Sequence, residues 1–492
     1  MTTDQSGQRL RGWLREASTH SLVYGLGAAL QAALNFLLLP VYTAQFPAEE
    51  FGVFRMAVTA AALAGAVCYL GAYSSLSRFY FDPEEPAERR TVAGTAALVT
   101  LLGAGLQMLF VLLASRRLSE VTLGTSAYGP YFVVAFATSA VTFVNQIFLL
   151  MLRLNRRSIV VVIVTLCSVL VTAAAIPALM LVWRWGVMGA LQGALIGQAA
   201  VTPLLIWLTR RDFVWGGTRP HLRQHLAFGL PTVAIGLGYY ALDSADRFVL
   251  ARFNLKTDLG IYSFGYSIGM VVQMLFVQPF VQIWNPMRLE YRKHAEAGRL
   301  TALLTTYYAL AGLAIVAALS LFARELVAIL GRRAEYAPAA RVIPIILLSH
   351  LAYGAINLVD TGIIATNRLI YHVALFWGSL VVNVGLNYWL VPRYGYMGSA
   401  WATLVSYLLL VGAVYAISHS LMPNHIEPAR LVMAVTTAVS VIVVRAWLPL
   451  SGLAAVAVEA GLLGGLLAVW YGWVLSSSER AWFRHPRLRA AE

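Results

Sequence analysis

The chain reads as an all-α integral membrane protein of about 14 transmembrane helices: two parallel six-helix repeats followed by two appended C-terminal helices. Composition is the first reason. Of 492 residues 59% are hydrophobic and only 12% charged, with mean hydropathy +0.71, whereas soluble domains carry roughly 25% charged residues. The second is the recurrence of apolar runs near 20 residues, the length that crosses a bilayer. The third is an internal repeat at an offset of a little over 200 residues.

Candidate spans fall near 20–44, 51–74, 91–114, 131–152, 159–182 and 187–209, then near 226–250, 260–285, 301–322, 342–364, 373–392 and 398–418. Two more follow near 429–448 and 452–475. Residues 1–19 are polar and basic, and the run from Leu22 to Ala44 lacks a small-residue cleavage site, so it reads as an uncleaved first helix. A net charge of +14 would suggest nucleic acid in a soluble chain. Here the basic residues fall in short loops, and membrane topology accounts for them. One set of loops and ends carries 23 Lys and Arg, the other 12, which places both termini in the cytoplasm by the positive-inside rule.

Trp183, Trp185, Trp207, Trp447 and Trp473 stand at span ends as interfacial anchors. Cys68 and Cys167 lie inside apolar runs and read as packing residues. The expected organisation is a cytoplasmic segment over 1–19, an N-lobe over 20–209, a basic linker over 210–225 and a C-lobe over 226–418. Appended spans over 429–475 and a basic tail over 476–492 complete it.

The repeat rests on four matches in order. Tyr24-Gly25-Leu26 recurs as Phe228-Gly229-Leu230, and Phe51-Gly52-Val53-Phe54 as Leu259-Gly260-Ile261-Tyr262. Asn155-Arg156 recurs as Asn367-Arg368, and Arg184-Trp185-Gly186-Val187-Met188-Gly189 as Arg393-Tyr394-Gly395-Tyr396-Met397-Gly398. Six spans return the chain to its starting side, so the two copies are parallel. Transporters built this way carry their substrate path between the copies and expose it alternately to each side.

The seventh span holds the most expensive residues. Asp243, Asp246 and Arg247 share a helix face at i, i+3 and i+4, and ionisable groups inside a span face a bundle interior or a water-filled path. A self-satisfied ion pair is the competing account. Arg55, just inside the second span, and Arg78, at its other end, are further candidate cavity cations, with snorkelling and topology as their plain alternatives. Gln31, Asn35, Asn145, Gln273, Asn357, Asn383 and Asn387 form a candidate polar lining, although hydrogen bonds between helices give the same pattern. Asp243, Asp246 and Asp360 are candidates for ion coupling, and Arg445 and Glu459 for a mutual pair.

Several stretches resemble the polysaccharide-export flippases that move O-antigen, capsule and exopolysaccharide precursors. They are TNRLIYHVALFWGSLVVNVGLNYWLVPRYGYMGSAWATLVSY at 366–407, GLP at 229–231, SADRFVL at 244–250, LGIYSFGYSI at 259–268, EEFGVF at 49–54 and LSRFYFD at 76–82. The resemblance covers most of 20–418. It implies the fold of the multidrug/oligosaccharidyl-lipid/polysaccharide exporters, two six-helix lobes around a central cavity. It also implies a substrate, an oligosaccharide on undecaprenyl (pyro)phosphate, moved from the inner to the outer leaflet of a bacterial cytoplasmic membrane. Membrane lipids, a polysaccharide polymerase and chain-length or export proteins are the implied partners.

Arg suits the phosphate because its planar fork binds oxygens bidentately and stays charged, so Arg55 and Arg247 are the expected ligands, with Arg78 third. No nucleic-acid partner, cofactor, metal or catalytic residue is expected. A small-molecule exporter of the same superfold is the alternative. A membrane glycosyltransferase or ligase is a more distant one, because no external loop is large enough for a catalytic domain; the chain also lacks a G-x-x-x-x-G-K-[ST] phosphate loop, so it is not expected to be its own ATPase.

Overall fold

The computed structural model describes residue 30 and residues 33–216, 218–291, 297–423, 426–448, 450, 452–477 and 479–480, without the side chains of 286 and 289–300. The expected 1–19 segment, most of the first half of the first span (including Gln31) and the tail beyond 480 lie outside the described residues. Those described are helical almost throughout, and 13 helices among them are long and apolar enough to cross a membrane. The described part of the first span adds α1 (Leu39–Gln45).

The first copy continues with α2 (Ala48–Cys68), α3 (Ala72–Phe79), α4 (Pro86–Leu123), α5 (Gly129–Leu154), α6 (Ser158–Pro177) and α7 (Gly186–Thr209). The second comprises α8 (Arg219–Arg252), α9 (Lys256–Val272), α10 (Gln278–Tyr291), α11 (Ala297–Leu321), α12 (Ala323–Leu330), α13 (Ile343–Val359), α14 (Thr361–Ala365), α15 (Ile370–Tyr394) and α16 (Tyr396–Leu421). The appended hairpin is α17 (Pro428–Trp447) and α18 (Leu453–Val469).

The duplication extends to the breaks in the helices. The second span is interrupted at Leu70 and Gly71, whose φ values of 49° and 67° are left-handed and end α2 before α3 resumes. At the matching place in the eighth span a π-helical segment, Gln273–Val277, separates α9 from α10. Left-handed residues also recur at matching turns: Arg156 and Asn367 before the fifth and eleventh spans, Gly186 and Gly395 before the sixth and twelfth. The seventh span is longer than its apolar run. Pro220, in the first turn of α8, costs no hydrogen bond there, and the helix absorbs residues 219–225 that the sequence assigns to the linker.

By compactness the residues form two units. Unit 1 comprises 1–264 with 384–396, and unit 2 comprises 265–383 with 397–492. In unit 1, α4 packs along α5, and α7 against both α5 and α6. A buried cluster including Leu76, Ala96, Phe148, Met151, Val164 and Leu205 fills the end that carries Arg153, Arg156 and Arg157.

In unit 2, α11 packs on α13 and α17. Arg430 at the start of α17 bonds Glu427 and Glu479 at 2.6 Å each. Glu479 also accepts from the Tyr307 hydroxyl at 2.9 Å and the Ser476 amide at 2.6 Å. Burial alone would raise its pKa, but the bonds from Arg430, Ser476 and Tyr307 prevail and hold it at about 2. This network ties the end of the hairpin to α11. Within the hairpin Arg445 and Glu459 pair as expected, Nε to Oε1 at 2.6 Å, both buried.

Candidate functional site

The last turns of α8 build a polar site inside unit 1. Asp246 is 1% exposed and Arg247 3%, positions a carboxylate and a guanidinium occupy only when satisfied by partners. Asp246 Oδ1 accepts from the Arg247 amide at 2.8 Å, and its Oδ2 from the hydroxyl of Tyr262, which is fully buried on α9. Arg247 Nη1 donates to the Asp243 carbonyl at 2.9 Å and stands 3.9 Å from Asp246 Oδ1. The contact between Asp246 and Arg247 is therefore a long ion pair. The guanidinium is thus held beside a carboxylate.

The elements around this site are fixed by two glycines in equivalent places of the two copies. A Cβ on Gly52 would stand 2.4 Å from the Lys256 carbonyl, and one on Gly260 1.7 Å from the Ala48 carbonyl. The starts of α2 and α9 can touch backbone to backbone only because both positions lack a side chain. That crossing places Tyr262, two residues beyond Gly260, on Asp246. Arg55, half-buried on α2 one turn beyond Gly52, has Tyr42 as an electrostatic neighbour. Tyr42 itself belongs to an aromatic group with Phe46, Phe51 and Phe54. At the rim Lys256 reaches Glu49 at 3.5 Å and lies 5.5 Å over the Tyr128 ring.

Further along α8, Gly229 meets the break between α2 and α3: a Cβ on Gly71 would stand 2.4 Å from its carbonyl. Beyond that point Ser75 Oγ bonds His225 Nδ1 at 2.7 Å, and His225 Nε2 lies 3.1 Å from the Val92 carbonyl.

Unit 2 holds a second buried charge cluster. Asp360, at the break between α13 and α14, pairs with Arg288 near the end of α10. Arg288 also donates to the Asn357 carbonyl at 2.9 Å, which accepts from Trp284 Nε1 at 2.8 Å. On the other side His372 Nε2 lies 3.4 Å from Asp360 Oδ2. One carboxylate thus faces a permanent cation and a titratable ring.

The other candidates are dispersed. Arg78 forms an exposed i, i+4 pair with Asp82 at 2.9 Å and lies 5.3 Å over the Phe79 ring. Asn35 is exposed. Asn145 joins α5 to α7: its Nδ2 donates to the Gln198 carbonyl at 2.9 Å and its Oδ1 accepts from Thr202 at 2.9 Å. Gln273 is buried in the π segment, Asn357 is half-buried, and Asn383 and Asn387 are both fully buried on α15.

Tyr262, Arg288 and His372 were not among the sequence candidates. Tyr262 does carry a signal, a hydroxyl where the first copy has Phe54. Arg288 counts in the sequence as one of the cytoplasmic basic residues, yet it is 8% exposed and closes the Asp360 pair. Nothing local announces a partner 72 residues away.

A family model described as polysaccharide biosynthesis protein matches residues 19–290. The chain belongs to that family. The match spans Arg55, Asp243, Asp246 and Arg247 together with Tyr262. No curated protein sequence matches the chain.

Among solved structures, the lipid II flippase MurJ in an inward closed conformation superposes with TM-score 0.71 at 12% identity, over 92% of this chain and 98% of that one. An inward-facing multidrug-resistance MATE transporter of the MOP superfamily gives 0.62 at 14% identity, over 80% and 94%. A MOP superfamily transporter from Pyrococcus furiosus gives 0.52 at 15%, over 81% and 94%. This polysaccharide biosynthesis protein therefore has the fold of that superfamily and is a multi-pass membrane protein.

Proposed function

We propose that the protein translocates an oligosaccharide carried on undecaprenyl (pyro)phosphate from the cytoplasmic to the outer leaflet of a bacterial inner membrane. Translocation proceeds by alternating access, and both termini are cytoplasmic. The observation that supports this most is the family match across the half of the chain that contains Arg55 and Arg247, joined to the exporter fold. The cargo's anionic head needs a cation that can exchange partners. Arg247 is the candidate, a guanidinium beside the Asp246 carboxylate whose planar fork suits phosphate oxygens. Arg55 supplies the second charge, and Arg78 an exposed cation at the far end of the same span.

In this reading Asp243 and Asp246 keep Arg247 neutralised while the site is empty. Asp360, between Arg288 and His372, is the coupling candidate in unit 2.

The experiment is transport in proteoliposomes loaded with radiolabelled lipid-linked oligosaccharide, read by protection from an added glycosidase, with a cationic dye as competing cargo. Glycan transfer without dye transport is expected, and Arg55→Ala and Arg247→Ala lose it at unchanged membrane abundance. Dye transport in place of glycan transfer makes the protein a small-molecule exporter, and normal transfer in both variants removes the two arginines from the site. Transfer that is indifferent to Asp243→Asn, Asp246→Asn and Asp360→Asn together, with ion gradients imposed, removes the coupling role.

A further inference from the structure

The lipid-facing side of α7 carries a second built feature. A cavity of about 550 Å³ lies between α5 and α7 and is lined on the α7 side by Ala199, Thr202, Pro203, Ile206 and Trp207, with Arg210 at its end. These positions recur at three- and four-residue steps and so share one helix face. The opposite face, with Val201, Leu205 and Thr209, is buried.

The lining is apolar apart from Thr202 and Arg210. The Thr202 hydroxyl is taken up by Asn145 Oδ1 at 2.9 Å and the Gln198 carbonyl at 3.1 Å. A glycan would find nothing to bond along this wall. A hydrocarbon chain fits it.

The eleven helical steps from 199 to 210 rise about 16 Å, close to half of a hydrocarbon core of about 30 Å. The slot therefore has the depth of a single leaflet. Its end is marked as the headgroup level by Trp207, 58% exposed, because tryptophan collects at that interface. Arg210 caps α7 there, exposed, its guanidinium 5.6 Å over the Trp207 ring. No carboxylate pairs with it among the described residues.

We propose that this slot binds one anionic phospholipid, its acyl chain along α7 and its phosphate on the Arg210 guanidinium. Charge complementarity selects an anionic head, and the one-leaflet depth selects an ordinary acyl chain over a far longer polyprenyl tail. The site is separate from the transport site and does not depend on what the protein transports.

The test uses the full chain, delipidated in detergent and titrated with phosphatidylglycerol carrying dibrominated chains, which quench nearby tryptophan. A saturable component that disappears in Trp207→Phe is expected. Arg210→Gln shifts its midpoint about five- to tenfold, while Arg211→Gln, an exposed neighbour in the same loop, shifts it less than twofold. Brominated phosphatidylcholine requires correspondingly higher concentrations. Ala199→Phe, which fills the slot from the lipid side, weakens both lipids.

Equal shifts in the Arg210 and Arg211 variants would reduce the effect to general surface charge and overturn the proposal. So would undecaprenyl phosphate displacing the bromolipid at lower concentration than phosphatidylglycerol does, since the slot would then take the carrier. Quenching unaffected by Trp207→Phe places the lipid elsewhere.

Discussion

Gly52 and Gly260 hold equivalent places in the two sequence copies, and they meet where the starts of α2 and α9 cross. Each would drive a Cβ into the other helix's backbone, at 2.4 Å from the Lys256 carbonyl and 1.7 Å from the Ala48 carbonyl. Backbone cannot yield as the tip of a side chain can. Gly260→Ala is therefore expected to lower stability by about 1–3 kcal/mol, the range for overpacking. Gly236→Ala, on α8 with nothing within 4 Å of the added carbon, should be neutral or stabilising, because alanine is the better helix former by about 1 kcal/mol. Thermal unfolding in one detergent compares the two directly.

The pair of Arg288 with Asp360 leads to a different comparison. Removing one member of a buried pair strands a charge and costs about 3–5 kcal/mol, whereas replacing both by apolar residues of similar size is often neutral. Asp360→Leu alone should sharply reduce the folded fraction, and the double variant Arg288→Met with Asp360→Leu should recover most of it. Size-exclusion profiles after mild heating would show the order. A double variant no better than the single one would mean that Asn357 and His372, not the ion pair, set the geometry.

Tyr262→Phe deletes one hydroxyl and leaves Asp246 Oδ2 without that donor. A hydrogen bond to a charged group is worth about 1.5–3 kcal/mol, so a loss of that order is expected. Tyr394→Phe, a change of the same kind at an exposed position on α15, is the matched comparison, and chemical unfolding of the purified protein measures both.

Glu479 makes a prediction in pH. Its folded pKa, about 2, lies below the ordinary glutamate value of about 4.3. The stabilisation it supplies is thus fully present above about pH 4.3 and is lost as the pH falls toward 2. Hydrogen-exchange protection factors across 470–480, which correct for the intrinsic pH dependence of amide exchange, should fall over that acid window in the native protein. In Glu479→Gln they should be already lowered at pH 6 and flat with pH.

How much of this was legible in the sequence follows from the range of each interaction. Spans come from composition within a 20-residue window, so their positions could be read directly. The repeat showed in its glycine turns because a left-handed turn such as that at Gly395 narrows the choice of residue. Arg445 and Glu459 were readable as a pair because a short hairpin brings their helices together. The bond between Arg288 and Asp360 was hidden by distance along the chain. The bond from Tyr262 to Asp246 was hidden because a tyrosine in an apolar run looks like any other large core residue. The break at Leu70 was invisible for another reason: it lies inside an unbroken apolar run, and only the passage of Gly229 beside it explains why the helix yields there.

The pairing of Arg445 with Glu459 bears on how the chain enters the bilayer. An arginine at the centre of a lone inserting helix costs about 2.5–3.5 kcal/mol, and Arg445, in the last turn of α17, escapes most of that cost only while its long side chain reaches the interface. Once α18 has emerged behind it, the carboxylate of Glu459 cancels the charge and the two can leave the translocon as a neutral hairpin. A chain truncated after residue 450 would keep the arginine and lose its counter-ion, and its last helix should then shift along its axis to bring the guanidinium to the interface.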